Sequence, residues 1–384
     1  MPRYWVGAVQ LLLLFLVAAQ EEKQNEGCGC SGASKGLGRS AVLSGSDSEN
    51  AAAGGGTCSA KTEEGRRGLS VLESVLAIKE DMVLVPGKTF MMGTSNPIIF
   101  NDGEGPERPV RVSSFWMDRF EVSNAEYRAF AESTGYRTES EVFGWSFVFD
   151  QAIAPKLKKN IKQAVLGAEW WLPVNGSYWR EPEGPGTDVF ATNRGNFPAV
   201  HISWTDAVKF CEWRSNGTRL PTEAEWELAA RGGKTIAQIF PWGNKLTPSA
   251  EHRANIYQGT FPTENTQEDG YQFMAPVDAF GPQNELGLYN MVGNVWEWVQ
   301  DWWTVHHSTE LSVDPTGPTT GEEKVKRGGS FLCHRSFCYR YRTVARFKTT
   351  PDSASQNAGF RCAKTASVID EGQGEGGQGI EAEE

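Results

Sequence analysis

Two cysteines near the end of the chain have neighbours that could support chemistry. Cys333 and Cys338 lie in the stretch RGGSFLCHRSFCYRYRTVAR, residues 327–346, among a histidine and several arginines. An electropositive neighbourhood favours the thiolate form of cysteine, which is both the nucleophile and the metal ligand. The residues leave three interpretations open: a structural disulfide, a redox-active dithiol and a metal site. As a metal site, two thiolates would suit Cu(I) far better than calcium or magnesium.

The remaining cysteines fall into two groups. Cys211 lies on a predicted helix and Cys362 closes the folded region in GFRC, so a disulfide between them is reasonable in an oxidising compartment. Cys28 and Cys30 stand one residue apart in the Gly-rich stretch GCGC, which suits either thiol exchange with a partner or an unremarkable exposed pair. Cys58 makes the total of seven cysteines odd, which indicates an intermolecular bridge or a free thiol.

Composition divides the chain into four segments. Residues 1–19 combine one Arg, an apolar run and small residues, which predicts a signal peptide, since the run is shorter than the roughly 20 residues that span a bilayer. Residues 20–80 are rich in Gly, Ser, Ala and charged residues, which predicts a flexible extension. Residues 82–364 are rich in aromatic residues and predict one globular domain, whereas residues 365–384 predict an acidic, disordered tail.

Charge and sorting signals narrow the partners and the compartment. The net charge of −11 argues against nucleic acid or an anionic membrane as a partner of the whole chain, and no later stretch is apolar enough to span a membrane. Sequons for glycosylation begin at Asn175 and Asn216. We therefore expect a soluble protein that enters the secretory route. The tail carries no KDEL-type signal, so residence in the endoplasmic reticulum would need another cause.

Three short helices are predicted by their first turns. In each, a hydroxyl residue stands three positions before an acid, which is the pattern of a capping box. The boxes begin at Ser123, Ser203 and Thr222, and glycines at 135 and 232 predict the ends of the first and third helices. Gly, Pro and Asn separate brief β-like runs elsewhere, and no repeat of fixed period is present. The fold class is therefore α+β with much irregular structure.

An ordered series of motifs then carries a family resemblance. The series is VPGKTFMMGT, FEVSNAEYRAF, HISWTDAVKFCEW, RLPTEAEWELAARGG, FPWGN, GLYNMVGNVWEW, RGGSF and GFRCA. From about residue 82 to 364 it resembles the formylglycine-generating enzyme family. The resemblance implies a single compact α+β domain of the variant C-type lectin fold, with little regular secondary structure. It also implies an oxidase that uses molecular oxygen to convert the cysteine of the C-x-P-x-R motif in newly made, unfolded sulfatases to Cα-formylglycine. The compartment would be the endoplasmic reticulum lumen, with part of the protein secreted.

The same resemblance assigns roles to individual residues. The active centre would bind Cu(I) through Cys333 and Cys338, with Ser330 and His334 as further catalytic residues. Residues matching the lining of the active centre or peptide groove are Trp296, Tyr339 and Asn357. On the residues alone, each could equally be structural, as a serine in a turn or a tryptophan in a core.

Two structural calcium sites are also implied, because calcium takes oxygen from carboxylates, amides and backbone carbonyls. The first would comprise Asn255, Ile256, Asp269 and Tyr271. The second would comprise Asn290, Gly293, Val295 and Glu297. This chain departs from the family at Ala230 and Thr343, which stand where relatives form another internal disulfide.

Two other functions compete with the oxidase. The family's paralogue resembles the fold but lacks the cysteine pair, which would make this chain a non-catalytic binding module for unfolded sulfatases. Iron-dependent sulfoxide synthases share the fold but add a helical bundle with an iron-binding histidine motif, and no such segment is present here. The presence of Cys333 and Cys338 favours the oxidase over the binding module.

Overall fold

The computed structural model describes residues 81–214 and 217–367. Predictions on the remaining residues stay predictions, and they concern the signal peptide, the N-terminal extension, nearly all of the acidic tail, Cys28, Cys30, Cys58 and Asn216. The other sequon residue, Asn175, is the exposed last residue of a strand. No helix of the described segments is long and apolar enough to cross a membrane.

Three of the five short helices in the described segments begin where the sequence predicted them. Within the described segments the α-helices are α1 Asn124–Thr134, α2 Glu139–Phe143, α3 Pro155–Lys158, α4 Trp204–Arg214 and α5 Glu223–Ala230. Single 3-10 turns occupy Phe100–Asp102, Asp150–Ala152 and Pro248–Ala250.

The predicted capping boxes before α1, α4 and α5 are all formed. A fourth box, at Thr138, begins α2 and was not predicted. Helix α1 ends at Gly135 as predicted, with φ 67°. Helix α5 ends at Ala230, two residues before Gly232, which adopts φ 64°.

Brief strands form several small sheets. In chain order they are β1 Met82–Val85, β2 Lys88–Met92, β3 Arg108–Val112, β4 Phe115–Asp118, β5 Trp145–Phe149, β6 Trp171–Asn175, β7 Thr218–Arg219, β8 Gly259–Thr260, β9 Glu264–Asn265, β10 Trp296–Trp302, β11 Ser312–Val313, β12 Lys324–Arg327, β13 Arg346–Thr349, β14 Ala358–Phe360 and β15 Ala363–Thr365. The two larger sheets have the orders β1-β4-β15-β7 and β13-β12-β10-β14. The smaller ones are β11-β3-β2, β5-β6 and β8-β9.

The sheet β13-β12-β10-β14 positions the cysteine segment. Strand β10 pairs antiparallel with β12, placing Glu297 opposite Arg327, and pairs parallel with β14, placing Trp296 opposite Ala358. Strand β12 leads directly into residues 328–338. The β10–β12–β14 pairing therefore brings three distant parts of the chain to one place.

Large aromatic side chains and one disulfide stabilise the domain. Trp171, Trp226 and Trp296 are at most 1% exposed. Cys211 on α4 and Cys362 between β14 and β15 form the predicted disulfide, with their Cα atoms 5.7 Å apart. A bridge that closes so long a loop typically stabilises a domain by about 2–4 kcal/mol. The mixture of short helices, short strands and long irregular connections confirms the predicted α+β class.

Candidate active site

The turn after β12 needs glycine at two successive positions. Gly328 and Gly329 adopt φ 93° and φ 74°, which side chains rarely tolerate. A Cβ on Gly329 would lie 3.0 Å from the backbone nitrogen of Tyr341, and one on Gly328 would lie 2.9 Å from the carbonyl of Met291. The close approach of these backbone segments places Ser330 in the interior of the domain.

The two cysteines predicted to be reactive meet in the structure. Their sulfur atoms are bonded to each other, and the Cα atoms of Cys333 and Cys338 are 4.7 Å apart. A tight turn closes the segment between them, because Phe337 and Cys338 both donate backbone hydrogen bonds to the carbonyl of His334, at 3.0 Å and 2.7 Å. Both cysteines are 0% exposed. The structure thus shows the oxidised pair, enclosed by its own loop.

A chain of hydrogen bonds connects Cys333 to two predicted site residues. The backbone N–H of Ser330 donates to Sγ of Cys333 at 3.4 Å. The Ser330 hydroxyl accepts from Nδ2 of Asn357 at 3.0 Å and from the N–H of Leu332 at 3.3 Å. Ser355 in turn donates to Oδ1 of Asn357 at 2.9 Å, which orients the amide. Ser355 was not predicted from the sequence, because a serine hydroxyl two residues away carries no motif.

Trp296 lies next to this chain. Its backbone N–H donates to the carbonyl of Asn357 at 2.8 Å, through the parallel pairing of β10 with β14. Its ring stacks on Phe347 with centroids 5.3 Å apart, and its indole N–H is buried without a hydrogen-bond partner among the described residues. The indole N–H groups of Trp170 and Trp171 are buried in the same way, so this feature alone does not distinguish Trp296.

The remaining predicted site residues lie on the outer side of the cysteine loop. Tyr339 lines a cavity of about 290 Å³, together with Phe337 and Ile99. The imidazole of His334 is close to the hydroxyl of Ser336, with Nδ1 2.7 Å from Oγ, and burial lowers the pKa of His334. The structure therefore joins Cys333, Ser330 and Asn357 in one network, with Tyr339 on the neighbouring cavity and His334 within the cysteine loop.

Two buried ion pairs hold the chain after Cys338. Arg340 donates through Nε to Asp102 at 2.5 Å, and Arg342 forms a two-pronged pair with the carboxylate of Glu104. Burial raises the pKa of Asp102, although Arg340 opposes that effect. Both acids belong to the segment around the 3-10 turn Phe100–Asp102. These pairs fix the position of the segment that follows the reactive cysteine.

A second group of buried charges lies under β12. Arg327 donates to Glu223 and Glu227 at 2.8 Å each, and Arg346 donates to Glu223 at 2.5 Å. Burial acts to raise the pKa of Glu223, but Arg346 and Arg327 outweigh it and hold that pKa below its usual range. Paired in this way, the charges anchor α5 against the sheet that carries the site.

The first predicted calcium segment is directly attached to the cysteine loop. Tyr257 donates its backbone N–H to the carbonyl of Cys333 at 3.1 Å. Asp269 accepts from the N–H of Ile256 at 3.0 Å and from the N–H of Tyr271 at 3.0 Å, so the structure does bring these three predicted residues together. Burial raises the pKa of Asp269.

The second predicted calcium segment meets the first. The N–H of Asn294 donates to the carbonyl of Asn255 at 2.8 Å, and the N–H of Gly293 donates to the carbonyl of Gly328 at 2.9 Å. The buried Oδ1 of Asn290 has no hydrogen-bond partner within residues 81–214 and 217–367, so it is an available oxygen ligand. Val295, five residues later, is fully buried.

Two acids at this second segment, Glu297 and Glu121, differ in their hydrogen-bond partners. Glu297, the predicted ligand, accepts from Arg361 at 2.6 Å and 2.8 Å and from Trp226 at 2.7 Å. Glu121 was not predicted, yet it accepts hydrogen bonds from the amides of Asn290 and Asn294. Burial, reinforced by Glu297, raises the pKa of Glu121 to about 8. Arg361 opposes this rise in pKa, but its guanidinium is hydrogen-bonded to Glu297, and no local sequence motif revealed the buried Glu121.

The donor sets fit the predicted ions in different ways. In residues 81–214 and 217–367 no three His, Cys, Asp or Glu side chains converge as a metal site. Two adjacent sulfurs, once reduced, form the soft donor pair that Cu(I) prefers. The calcium segments offer carboxylate, amide and carbonyl oxygens, which are the hard donors that calcium requires.

The chain is similar to members of one family along most of its length. The sulfatase-modifying factor enzyme 1-like domain matches residues 72–366. The formylglycine-generating enzyme of Mus musculus is 57% identical over 282 residues, covering 73% of this chain and 74% of the mouse protein. That of Thermomonospora curvata is 54% identical over 292 residues, covering 74% and 94%. The inactive Cα-formylglycine-generating enzyme 2 of Bos taurus is 46% identical over 288 residues, covering 74% and 88%.

A solved structure shows the same fold. The structure of PvdO from Pseudomonas aeruginosa superposes with a TM-score of 0.53 at 24% identity, covering 74% of this chain and 94% of PvdO. The family match extends over most of the chain and includes every residue of the hydrogen-bonded network around Cys333. This chain therefore belongs to the sulfatase-modifying factor enzyme 1-like family, which includes the formylglycine-generating enzymes.

Proposed function

We propose that this protein activates sulfatases by oxidising the cysteine of a C-x-P-x-R motif to Cα-formylglycine. The observation that carries the proposal is the meeting of Cys333 and Cys338 beside Ser330 and Asn357, in a chain 57% identical to a protein named formylglycine-generating enzyme. The substrate would be an unfolded sulfatase polypeptide, because the motif cysteine must reach sulfurs that the folded domain encloses.

Copper is part of the proposal. Cys333 and Cys338, in the reduced form, would hold Cu(I) between two thiolates. Cu(I), when bound, would supply the redox-active centre at which molecular oxygen is reduced. The disulfide present in the structure is then the oxidised resting form, and reduction of this pair precedes metal binding.

The protein's own residues would orient the sulfurs and a proton. The N–H of Ser330 points at Sγ of Cys333 and supports negative charge on that sulfur. The Ser330 hydroxyl already accepts from Asn357 and Leu332, which leaves its own proton to be donated into the site. Exclusion of water by the buried walls would strengthen both interactions.

The reaction consumes one molecule of oxygen, which accepts electrons from the substrate and from external thiols. Loss of two hydrogens from the Cβ–Sγ unit of the substrate cysteine gives a thioaldehyde, and water hydrolyses it to the aldehyde and hydrogen sulfide. Reduction of oxygen to water takes two electrons from the substrate and two from external thiols, which become a disulfide. The dithiol of the enzyme is regenerated by the same class of reductant.

Substrate access would involve the loop between the cysteines. The sulfurs are buried, whereas Arg335 and Ser336 in that loop are exposed and line the 290 Å³ cavity with Tyr339. We infer that an extended peptide approaches over Tyr339, and that the loop of residues 334–337 moves to admit its thiol.

Two calcium ions complete the proposed cofactors. They would hold the segments 255–271 and 290–297, whose backbones donate hydrogen bonds to the carbonyls of Cys333 and Gly328. Glu121 is added here to the second site, because its buried carboxyl group accepts hydrogen bonds from the amides of Asn290 and Asn294 and could lose its proton to a bound cation. Calcium would thus be structural and take no part in electron transfer.

The proposed compartment is the endoplasmic reticulum lumen, with part of the protein secreted. The sequence features that support it are the predicted signal peptide and the sequons at Asn175 and Asn216. Thiol exchange through Cys28 and Cys30 with a resident partner would retain the protein there.

One alternative function is a non-catalytic binding module for unfolded sulfatases. It is favoured by the 46% identity to a bovine relative named as inactive. Cys333 and Cys338 distinguish the two functions, because the oxidase requires this reducible pair and a binding module does not.

The deciding experiment incubates purified, reduced protein with a C-x-P-x-R peptide, oxygen, Cu(I) and excess thiol. Mass spectrometry should reveal the mass loss that corresponds to replacement of CH2–SH by CHO. Cys333→Ser and Cys338→Ser should each abolish the conversion while peptide binding persists. If the single variants still convert the peptide, the assigned roles are wrong. If the unmodified protein binds the peptide without converting it, the binding module is the better description.

A further inference from the structure

The side chain of Gln258 is bonded at one end only. It is 9% exposed, and its Oε1 is buried with no hydrogen-bond partner in the described part of the chain. Its Nε2, in contrast, makes two short hydrogen bonds. A buried amide oxygen without a donor is destabilising, so this arrangement calls for a specific cause.

The two partners of Nε2 supply that cause. Nε2 donates to the carbonyl of Ile256 at 2.6 Å and to Oδ2 of Asp269 at 2.8 Å. Both residues belong to the proposed first calcium site. The two N–H hydrogens of this amide, which carry partial positive charge, therefore hold two oxygens that a cation would otherwise hold.

The same amide offers an oxygen if it turns by half a rotation about its last bond. The reversed amide would place Oε1 beside the carbonyl of Ile256 and the carboxylate of Asp269, which is repulsive unless a cation lies among the three oxygens. Calcium takes about six to eight oxygen ligands, and the four residues predicted from the family leave room for another protein oxygen. The energies of the two orientations thus depend on whether a cation is present.

We propose that Gln258 is a switching ligand of the first calcium site. In the cation-free protein its N–H groups bridge Ile256 and Asp269. When calcium binds, the amide reverses and Oε1 becomes a ligand. The inference deepens the calcium part of the proposed function and does not depend on the copper chemistry.

The switch has a route to the cysteine loop. Tyr257 lies between Ile256 and Gln258 in the sequence, and its N–H donates to the carbonyl of Cys333 at 3.1 Å. Rearrangement of the amide therefore takes place on the segment that supports the reactive cysteine. We expect calcium occupancy to stiffen this segment.

Calcium titration of the purified, calcium-stripped protein tests the proposal. Gln258→Met keeps the length of the side chain and removes both amide atoms, and it should weaken one of the two sites by about 10-fold or more. Gln258→Glu supplies a charged oxygen, so it should bind calcium at least as tightly as the unmodified protein. It should also unfold more readily when calcium is absent, because two buried carboxylates then face each other.

A matched control separates the switch from general damage. Gln356 is also fully buried, but both ends of its amide are bonded, to the N–H of Phe149 and to Glu183. Gln356→Met should destabilise the fold and leave both calcium affinities unchanged. Equal calcium affinities for Gln258→Met and the unmodified protein would overturn the proposal.

A second measurement uses the unmodified protein. In protein labelled with ¹⁵N, the side-chain amide resonance of Gln258 should shift when calcium is added, because both of its hydrogen bonds are lost. An unchanged resonance at saturating calcium would overturn the switch even if the variants failed to fold. If the unmodified protein binds no calcium at all, the calcium site itself is wrong, and the oxidase proposal is still judged separately by peptide conversion.

Discussion

The amide of Asn357 donates a hydrogen bond to the hydroxyl of Ser330 at 3.0 Å, across a sequence separation of 27 residues. Ser330 donates its own N–H to the sulfur of Cys333. Asn357 therefore acts on the cysteine through one intermediate and sets how the serine hydroxyl is oriented. Asn357 is thus a positioning residue for the proposed reaction.

Asn357→Asp should lower the proposed turnover strongly. The new carboxylate cannot donate to Ser330 and adds negative charge near the thiolates, so we expect a loss of about 10- to 100-fold, since a lost bond to a buried group costs about 1–3 kcal/mol. Peptide conversion would be measured as kcat and KM. A purely structural role would appear as lost stability with little change in kcat for the fraction that stays folded. The same change at exposed Asn160 is the control.

Removing one partner of the Arg342–Glu104 pair should be costly. Both side chains are at most 2% exposed, so Arg342→Met leaves an unpaired buried carboxylate, at about 3–5 kcal/mol. Glu104→Gln in the same chain should restore part of that loss, because the amide still accepts from Ile98. Urea unfolding of both single variants and the double variant measures the coupling. Additive losses would argue against a buried ion pair.

The exposed pair Lys209–Glu212 is the matched control for that cycle. Its side chains are 52% and 56% exposed, so Lys209→Met should cost less than about 1 kcal/mol.

His201 should make the protein less stable in acid. Burial lowers the pKa of His201 from its usual value to about 3, and the imidazole contacts Ser146 and the carbonyl of Pro182 at 2.8 Å each. As pH falls below about 6.5, the imidazole of His201 becomes protonated in the unfolded state but stays neutral in the folded state. The contribution of His201 is therefore complete above that pH and declines by about 1.4 kcal/mol per pH unit down to about pH 3.

Comparison with His201→Gln isolates this contribution. The difference in unfolding free energy between the two proteins, measured at several pH values, should shrink steadily below pH ~6.5. A difference that is independent of pH would show that the imidazole titrates normally in the folded state.

Glu121→Gln should weaken calcium binding at the second site. Calcium binding would release the proton that Glu121 holds at its raised pKa, and the change removes the carboxylate ligand formed in this way. We expect a loss of about 10-fold or more, measured by titration of the calcium-stripped protein. Exposed Glu132→Gln is the control, and equal affinities for Glu121→Gln and the unmodified protein would remove Glu121 from the site.

Local patterns in the sequence predicted three of the five helices of the described segments and one disulfide. The hydroxyl–acid spacings at Ser123, Ser203 and Thr222 predicted helix starts correctly, because a capping box is a contact among four consecutive residues. Cys211 and Cys362 were paired correctly, since few thiols in the domain needed partners. The ordered motifs identified the family, because each motif combines several residues at fixed spacing.

Only the tertiary structure decided which side chains support Cys333 and Cys338. Glu121, Gln258, Ser355 and the acids at 102 and 104 carry no motif of their own, and most of their partners lie far away in sequence. Arg342 and Glu104, for example, are 238 residues apart. The sequence determined the elements and the kind of chemistry, because those depend on neighbours along the chain. The burial that gives Glu121 and Gln258 their properties depends on which distant backbones fold over them, and spacing does not record that.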